Sequence, residues 1–169
     1  MKTLLILALA LVFLIPLGKT ALAAPEVNEI NAAPAKPTRL HFKGAMQSNE
    51  TYSTAFHTLF VTANGSGEAT ELGRFTASYQ MEANLMDMSV IESISLTGSN
   101  GDSLQANAVG QAIEDRTPGM FKVVEIYTIT GGTGRFADAS GTLTMNRLLS
   151  FTAGVASSTI EGYILFPSN

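Results

Sequence analysis

Thr130-Gly131-Gly132-Thr133-Gly134-Arg135-Phe136, followed directly by Ala137-Asp138-Ala139-Ser140-Gly141-Thr142, is the stretch whose reading decides the fold. It lies between two strand-like runs, 121–129 and 141–151. Glycine lacks a Cβ and adopts positive φ at little steric cost, so Gly131, Gly132 and Gly134 mark a tight corner set by the backbone. A phosphate-binding loop is the other structure such a run suggests. That reading fails here because no Gly-Lys-Ser/Thr ending and no helical pattern follow. Arg135, like Arg74, stands after a glycine-containing turn and before a phenylalanine. A guanidinium there caps carbonyls at a strand end or binds an anion, and the strand-end role is the one expected.

Outward from this corner the chain reads as strands nearly throughout. Leu40, Phe42, Gly44 and Met46 alternate with His41, Lys43, Ala45 and Gln47, and Phe75, Ala77, Tyr79 and Met81 alternate with Thr76, Ser78, Gln80 and Glu82. That is the period-two pattern of strands with one buried face. Ser99-Asn100-Gly101-Asp102 predicts a hairpin with Asn-Gly at the two positive-φ positions of a type I′ turn, joining 89–97 to 103–112. Further strands are expected at 58–63, 121–129, 141–151 and 157–166, which makes eight. The segment 82–88 suits a bulge or wide turn, and nothing after residue 37 has the pattern of an amphipathic helix of ten or more residues. Eight sequential strands with short Gly, Asn, Asp and Pro connections suit an antiparallel meander. Closing it removes exposed edges, so the expectation is an all-β, single eight-stranded antiparallel barrel, with a β-sandwich as the alternative.

The glycine corner resembles the Gly-Gly-Thr-Gly-Arg/Lys-Phe corners of dirigent proteins, allene oxide cyclases and many bacterial secreted proteins. Leu72-Gly73-Arg74-Phe75-Thr76, Ser99-Asn100-Gly101-Asp102-Ser103-Leu104 and Ile160-Glu161-Gly162-Tyr163-Ile164 extend the resemblance over residues 38 to 166. It implies a calycin-like barrel of the allene oxide cyclase and dirigent type, and a homo-oligomer, dimer or trimer. The motifs that carry cyclase or dirigent chemistry in plants have no residue-by-residue match, so the resemblance assigns no catalytic position.

The N-terminus reads separately. Lys2, an apolar run from Leu4 to Leu17 and the small residues Ala21-Leu22-Ala23 form a signal-peptide pattern cut after Ala23, with Ala24 as the less favoured site because Pro25 follows. The expected organisation is a signal peptide over 1–23, a flexible Ala/Pro/Asn-rich leader over 24–37 and the barrel domain over 38–169, secreted or periplasmic, with no membrane partner once the signal is removed. Two of the ten basic residues leave with the signal, so eight Lys and Arg face fourteen Asp and Glu, a formal charge of −6. That balance disfavours nucleic acid. The chain has no cysteine, which excludes disulfides, thiolate metal sites and a lipid anchor on cysteine. Asn49-Glu50-Thr51 and Asn64-Gly65-Ser66 fit the glycosylation sequon.

The strand alternation also nominates a site. Phe121, Val123, Glu125, Tyr127 and Ile129 form an apolar face interrupted by one carboxylate, Val90, Glu92, Ile94 and Leu96 another, and Leu143, Met145, Arg147, Leu149 and Phe151 a face interrupted by one guanidinium. Buried charges must be paired, so Arg147 is expected to share Glu125 or Glu92, with Glu125 favoured because its strand is the sequence neighbour. The candidate lumenal cluster is Glu92, Glu125, Tyr127, Arg147 and Tyr163, read either as a group that orients or protonates a ligand or as an ion pair that fixes strand register. Gly131, Gly132, Gly134, Arg135 and Phe136 form a structural corner. His41 and His57 are the only histidines and lack metal-ligand spacing, and no Gly-x-Ser-x-Gly elbow is present, so neither a metal, a cofactor nor a hydrolase triad is expected. The function expected is that of a secreted barrel, non-enzymatic, that binds a small, partly apolar or phenolic molecule in its lumen or a partner on its surface. A lumenal isomerase or cyclase and a structural, matrix-associated oligomer are the alternatives.

Overall fold

A computed structural model describes residues 36–167. The signal peptide and all but the last two residues of the leader lie outside the described residues. Eight strands run in order, β1 (Thr38–Ala55), β2 (Thr58–Ala69), β3 (Gly73–Asn84), β4 (Ser89–Gly98), β5 (Ser103–Glu114), β6 (Met120–Gly132), β7 (Ser140–Ser150) and β8 (Val155–Phe166). They close as an antiparallel barrel in sequence order. The closure depends on the length of β1. Its first part pairs with β8 over Thr38–Asn49 and its second with β2 over Gly44–Ala55, so one 18-residue strand covers both free edges.

A meander puts alternate turns at opposite ends. The lower end carries the turns at 70–72, 99–102 and 133–139, and the upper end those at 56–57, 85–88, 115–119 and 151–154. The lower end is shut. The chain bends at Gly131 (φ 125°) near the end of β6 and turns through Gly134 (φ 57°), and a short 3₁₀ turn, Gly134–Phe136, folds Phe136 into the lumen at 1% exposure. A Cβ on Gly134 would collide with Asp102 Oδ1, so the corner needs glycine for space as well as for φ. Arg135 reaches sideways to the Glu71 carboxylate in the adjacent turn and lies over the Phe136 ring, holding the plug from outside.

The hairpin at 99–102 differs from the sequence expectation. Gly101 alone has positive φ, 91°, and Gly98 accepts from the Gly101 amide (2.9 Å) while its own amide donates to Asp102 (2.9 Å). This is a three-residue loop with glycine at the left-handed position rather than a type I′ turn. Asn100 keeps ordinary φ because its side-chain oxygen accepts from the Asp102 amide (3.1 Å) and its nitrogen donates to the Asp102 carboxylate (2.9 Å).

Side-chain size divides the lumen into three layers. Below, Phe42, Phe75, Leu96, Leu104, Phe136 and Ile160 pack into one apolar cluster. Near the upper end Leu59, Val61, Met81, Val90 and Val123 form a second. Between them lies a polar layer. Its long side chains fit because the inward face of β5 is nearly bare beside it, reading Ala106, Ala108 and Gly110.

Candidate functional site

The polar layer is built from inward positions at one height of five strands. Arg147 on β7 is its centre. Its Nη2 donates to Glu92 Oε2 on β4 (2.6 Å) and lies 3.1 Å from Glu125 Oε2 on β6, its Nη1 lies 3.7 Å from Glu50 Oε1 on β1, and its guanidinium sits 4.5 Å from the centre of the Tyr79 ring on β3. Glu92 is completed by Tyr127, whose hydroxyl donates to Oε1 (2.5 Å). Glu50 accepts from Tyr79 (2.5 Å) and from Tyr52 (3.0 Å), and Ser48 adds a hydrogen bond to the Tyr79 hydroxyl (2.8 Å). The side chains of Arg147, Glu50, Glu92 and Glu125 are all 0% exposed.

Glu125 is the least satisfied member, and Arg147 Nε also has no hydrogen-bond partner among the described residues. Its contact with Arg147 lacks hydrogen-bond geometry, and neither carboxyl oxygen has a hydrogen-bond partner among the described residues. Burial pushes its pKa well above the usual carboxylate range; Arg147 pulls it back down, and the neighbouring Glu92 adds to the rise. Arg147 loses solvation too, but Glu92 and Glu125 outweigh that loss and hold its pKa above the ordinary guanidinium value. Burial, reinforced by Glu92, likewise raises Tyr127, so it serves as a donor. Gly110 provides the room for this geometry. A Cβ there would meet Val124 O at 2.5 Å and Glu125 Cγ at 2.7 Å.

Of the residues nominated from the sequence, Glu92, Glu125, Tyr127 and Arg147 lie together in this layer, and the hydrogen-bonded partner of Arg147 is Glu92 rather than the favoured Glu125. Tyr163 does not belong. The inward residues of β8 are Ala156, Ser158, Ile160 and Ile164, so Tyr163 points outward, where Arg39 stacks over its ring at 4.0 Å. Glu50 and Tyr79 are the members sequence reasoning missed. Continuing the alternation of β1 from Met46 would have reached Ser48 and Glu50, but the polar run 47–51 masks it.

Immediately above this layer the lumen opens into a cavity of about 180 Å³. Met81, Ala83, Val90, Ala112 and Leu149 form its walls, and Leu85, Met88, Phe121 and Phe151 its rim, with Thr54 the one polar side chain. Met81 is the lid between cavity and charge, since its sulfur lies 3.5 Å from Arg147 Nη1. The lower lumen is filled, with only about 10 Å³ left among Leu96, Leu104, Tyr127 and Ile160. A wider trough of about 440 Å³ lies on the outer wall across β2 to β6. It is shallow and presents Thr62, Asn64, Ser78, Gln80, Ser93 and Asn107, none of them ionisable. No group of three or more His, Cys, Asp or Glu among the described residues could hold a metal ion.

No family model matches the chain, and no curated protein does. Solved structures do. The pterocarpan synthase dirigent protein GePTS1 superposes with a TM-score of 0.60 at 14% identity, covering 86% of this chain and 96% of its own. The pterocarpan synthase dirigent protein PsPTS1 superposes with a TM-score of 0.55 at 15% identity, covering 80% of this chain and 99% of its own. At these identities what is shared is the fold, a dirigent-like eight-stranded barrel.

Proposed function

We propose that this barrel binds a small, largely apolar molecule, a single ring or short chain, in its upper cavity, and does so without chemistry. The observation that carries the reading is the division of the lumen. The recess at its upper end is walled by aliphatic side chains, Met and Phe, while every charged side chain beneath it is fully enclosed and all but Glu125 are hydrogen-bonded. A volume of about 180 Å³ is below the roughly 300 Å³ at which drug-sized pockets begin, which limits the ligand to a phenol, a small terpenoid or a short acyl chain. The dirigent-like fold is compatible with such a lumenal ligand, and a secreted location and a homo-oligomeric state belong to the same reading.

The polar layer then serves as a rigid floor that holds five strands in register. Ala112 faces the cavity, so Ala112→Phe fills it from a position with no role in the floor. Thermal-shift screening against single-ring phenols, terpenoids and short fatty acids should find stabilising ligands for the native protein and none for Ala112→Phe. An unchanged ligand response in Ala112→Phe would place binding elsewhere.

One observation favours a second reading, lumenal acid catalysis. Glu125 is a carboxyl whose pKa burial pushes up and whose oxygens have no hydrogen-bond partner, so a ligand that displaced Met81 and reached past Arg147 would meet an acid. Turnover of any bound compound that is lost in Glu125→Gln while binding is retained would select it over simple binding.

A further inference from the structure

Twelve large hydrophobic side chains are exposed among the described residues, and their placement is one-sided. Phe56, Leu85, Met86 and Phe151 stand in the turns of the upper end. Phe60, Ile91, Ile113, Leu148 and Val155 follow within the adjoining strand ends, and Val109, Val124 and Ile126 at or just above mid-height. None lies in the lower half, where the outer wall carries Ser, Thr, Asn and Gln with Arg39, Lys43, Glu68, Arg74 and Glu161. Single exposed apolar residues need no explanation, but a set gathered at one end and continuous with an apolar cavity does.

The tips themselves are unusual. Phe56, at the end of the β1–β2 hairpin, is fully exposed at 102% and holds φ at 54°, a left-handed conformation that hairpin turns normally give to glycine or asparagine. Met86, at 72%, forms the tip of the β3–β4 turn, and Met88 in that turn has φ at 59°. Phe56 and Met88 are the only two non-glycine residues with positive φ among the described residues, and both are at the mouth. Phe151 supplies a third tip, braced by the Tyr52 ring at 4.5 Å. Three separate turns therefore raise an apolar side chain around one opening.

We propose that the open end of the barrel docks on an uncharged lipid surface, with Phe56, Met86 and Phe151 inserting as its tips. Charge selects this occupant. Glu82, Asp87, Glu114 and Asp115 outnumber Arg116 and Lys122 around the upper end, so no basic belt is present to attract anionic lipid. A second copy meeting the first mouth to mouth would set the same acidic groups against each other. The lower half of the outer wall is mostly hydroxyl, amide and charged groups, which leaves no apolar band around the full height of the barrel, so the protein rests on the surface by its end rather than crossing. The sequence expectation of no membrane partner rested on the lack of an apolar segment; the docking surface is assembled from turns far apart in the chain. The proposal does not require the cavity to be occupied.

The chain has no tryptophan, so Phe56→Trp in the protein beginning at Ala24 gives a single reporter at the mouth. With phosphatidylcholine vesicles its emission should shift to the blue and be quenched by brominated acyl chains. Adding Met86→Asp should weaken the binding by about tenfold, the loss of roughly one buried apolar side chain from the contact, whereas Val109→Asp on the wall should leave it nearly unchanged. Ala112→Phe should also leave it unchanged, which separates docking from ligand capture. The proposal is overturned if the indole emission of Phe56→Trp ignores phosphatidylcholine, if Val109→Asp weakens binding as much as Met86→Asp, or if Ala112→Phe abolishes quenching. Binding only to anionic vesicles, reversed by salt, would overturn it as well, and so would a blue shift that follows protein concentration without lipid as the mass doubles.

Discussion

Arg147→Met tests the interior most severely, because the substitution nearly conserves length while removing the one cation of the polar layer. In the native barrel the guanidinium lies 2.6 Å from Glu92, 3.1 Å from Glu125 and 3.7 Å from Glu50, with no solvent on any of the four side chains. Removing one partner of a buried ion pair typically costs about 3–5 kcal/mol, and here three carboxyls lose their shared counter-charge. The upper part of that range is expected, softened by the tyrosine donors that remain on Glu50 and Glu92. Against a total stability on the order of 5–15 kcal/mol this is a large fraction, and it lowers the melting temperature by about 10–20 °C for a domain of this size. Urea unfolding of wild type and variant followed by circular dichroism measures it directly. Replacing Glu50, Glu92 and Glu125 by glutamine in the Arg147→Met background should recover at least half of the loss, since an amide can be buried without an ionic partner. If Arg147→Met unfolds within about 1 kcal/mol of wild type, the three carboxyls are not held by that charge and the description of the layer is wrong.

The pH dependence of stability carries the signature of Glu125. A carboxyl whose folded-state pKa is raised binds its proton more tightly in the folded protein, so its contribution is fully present below the unfolded value near 4.5 and is lost as pH rises from there through the folded pKa. Glu125→Gln should therefore flatten the decline in unfolding free energy above pH 4.5, and parallel curves for the two proteins would contradict the assignment. Gly110→Ala puts a methyl group 2.5 Å from Val124 O and 2.7 Å from Glu125 Cγ, and chemical denaturation should register a loss of about 1–3 kcal/mol. An unaltered midpoint would mean that β5 does not approach Glu125 as closely as described.

The barrel was legible in the sequence because its determinants are local. Alternation at 75–82 and 121–129 and glycines at 131–134 each declare themselves within a few residues, and the structure extends most of the same elements outward, β1 by eight residues, while β7 ends at Ser150 and leaves Phe151, expected on its inward face, exposed in the turn. Glu92, Glu125 and Arg147 stood out because apolar neighbours two residues away set off a charge. Glu50 had no such contrast, lying in the polar stretch Gln47-Ser48-Asn49-Glu50-Thr51, where only the length of β1 shows that every second residue still points inward. Tyr163 failed for the opposite reason, since both faces of β8 carry large side chains and parity could not be assigned. The choice of Glu92 over Glu125 as the hydrogen-bonded partner was out of reach, because β4 and β7 are brought across the lumen by closure and not by sequence proximity. The separation into a plugged lower end and an open upper one likewise depends on Phe136 folding inward after β6, a tertiary event with no period of its own.

The central claim is that a small apolar molecule enters the upper cavity and stops at Met81. Methyl-labelled methionine spectra report on each level at once, because Met88 stands at the rim, Met81 at the lid and Met46 in the filled lower lumen. Titration with 4-propylphenol should move the Met88 and Met81 methyl resonances saturably and leave Met46 in place. Shifts confined to Met46, or none at saturating ligand, would contradict the account.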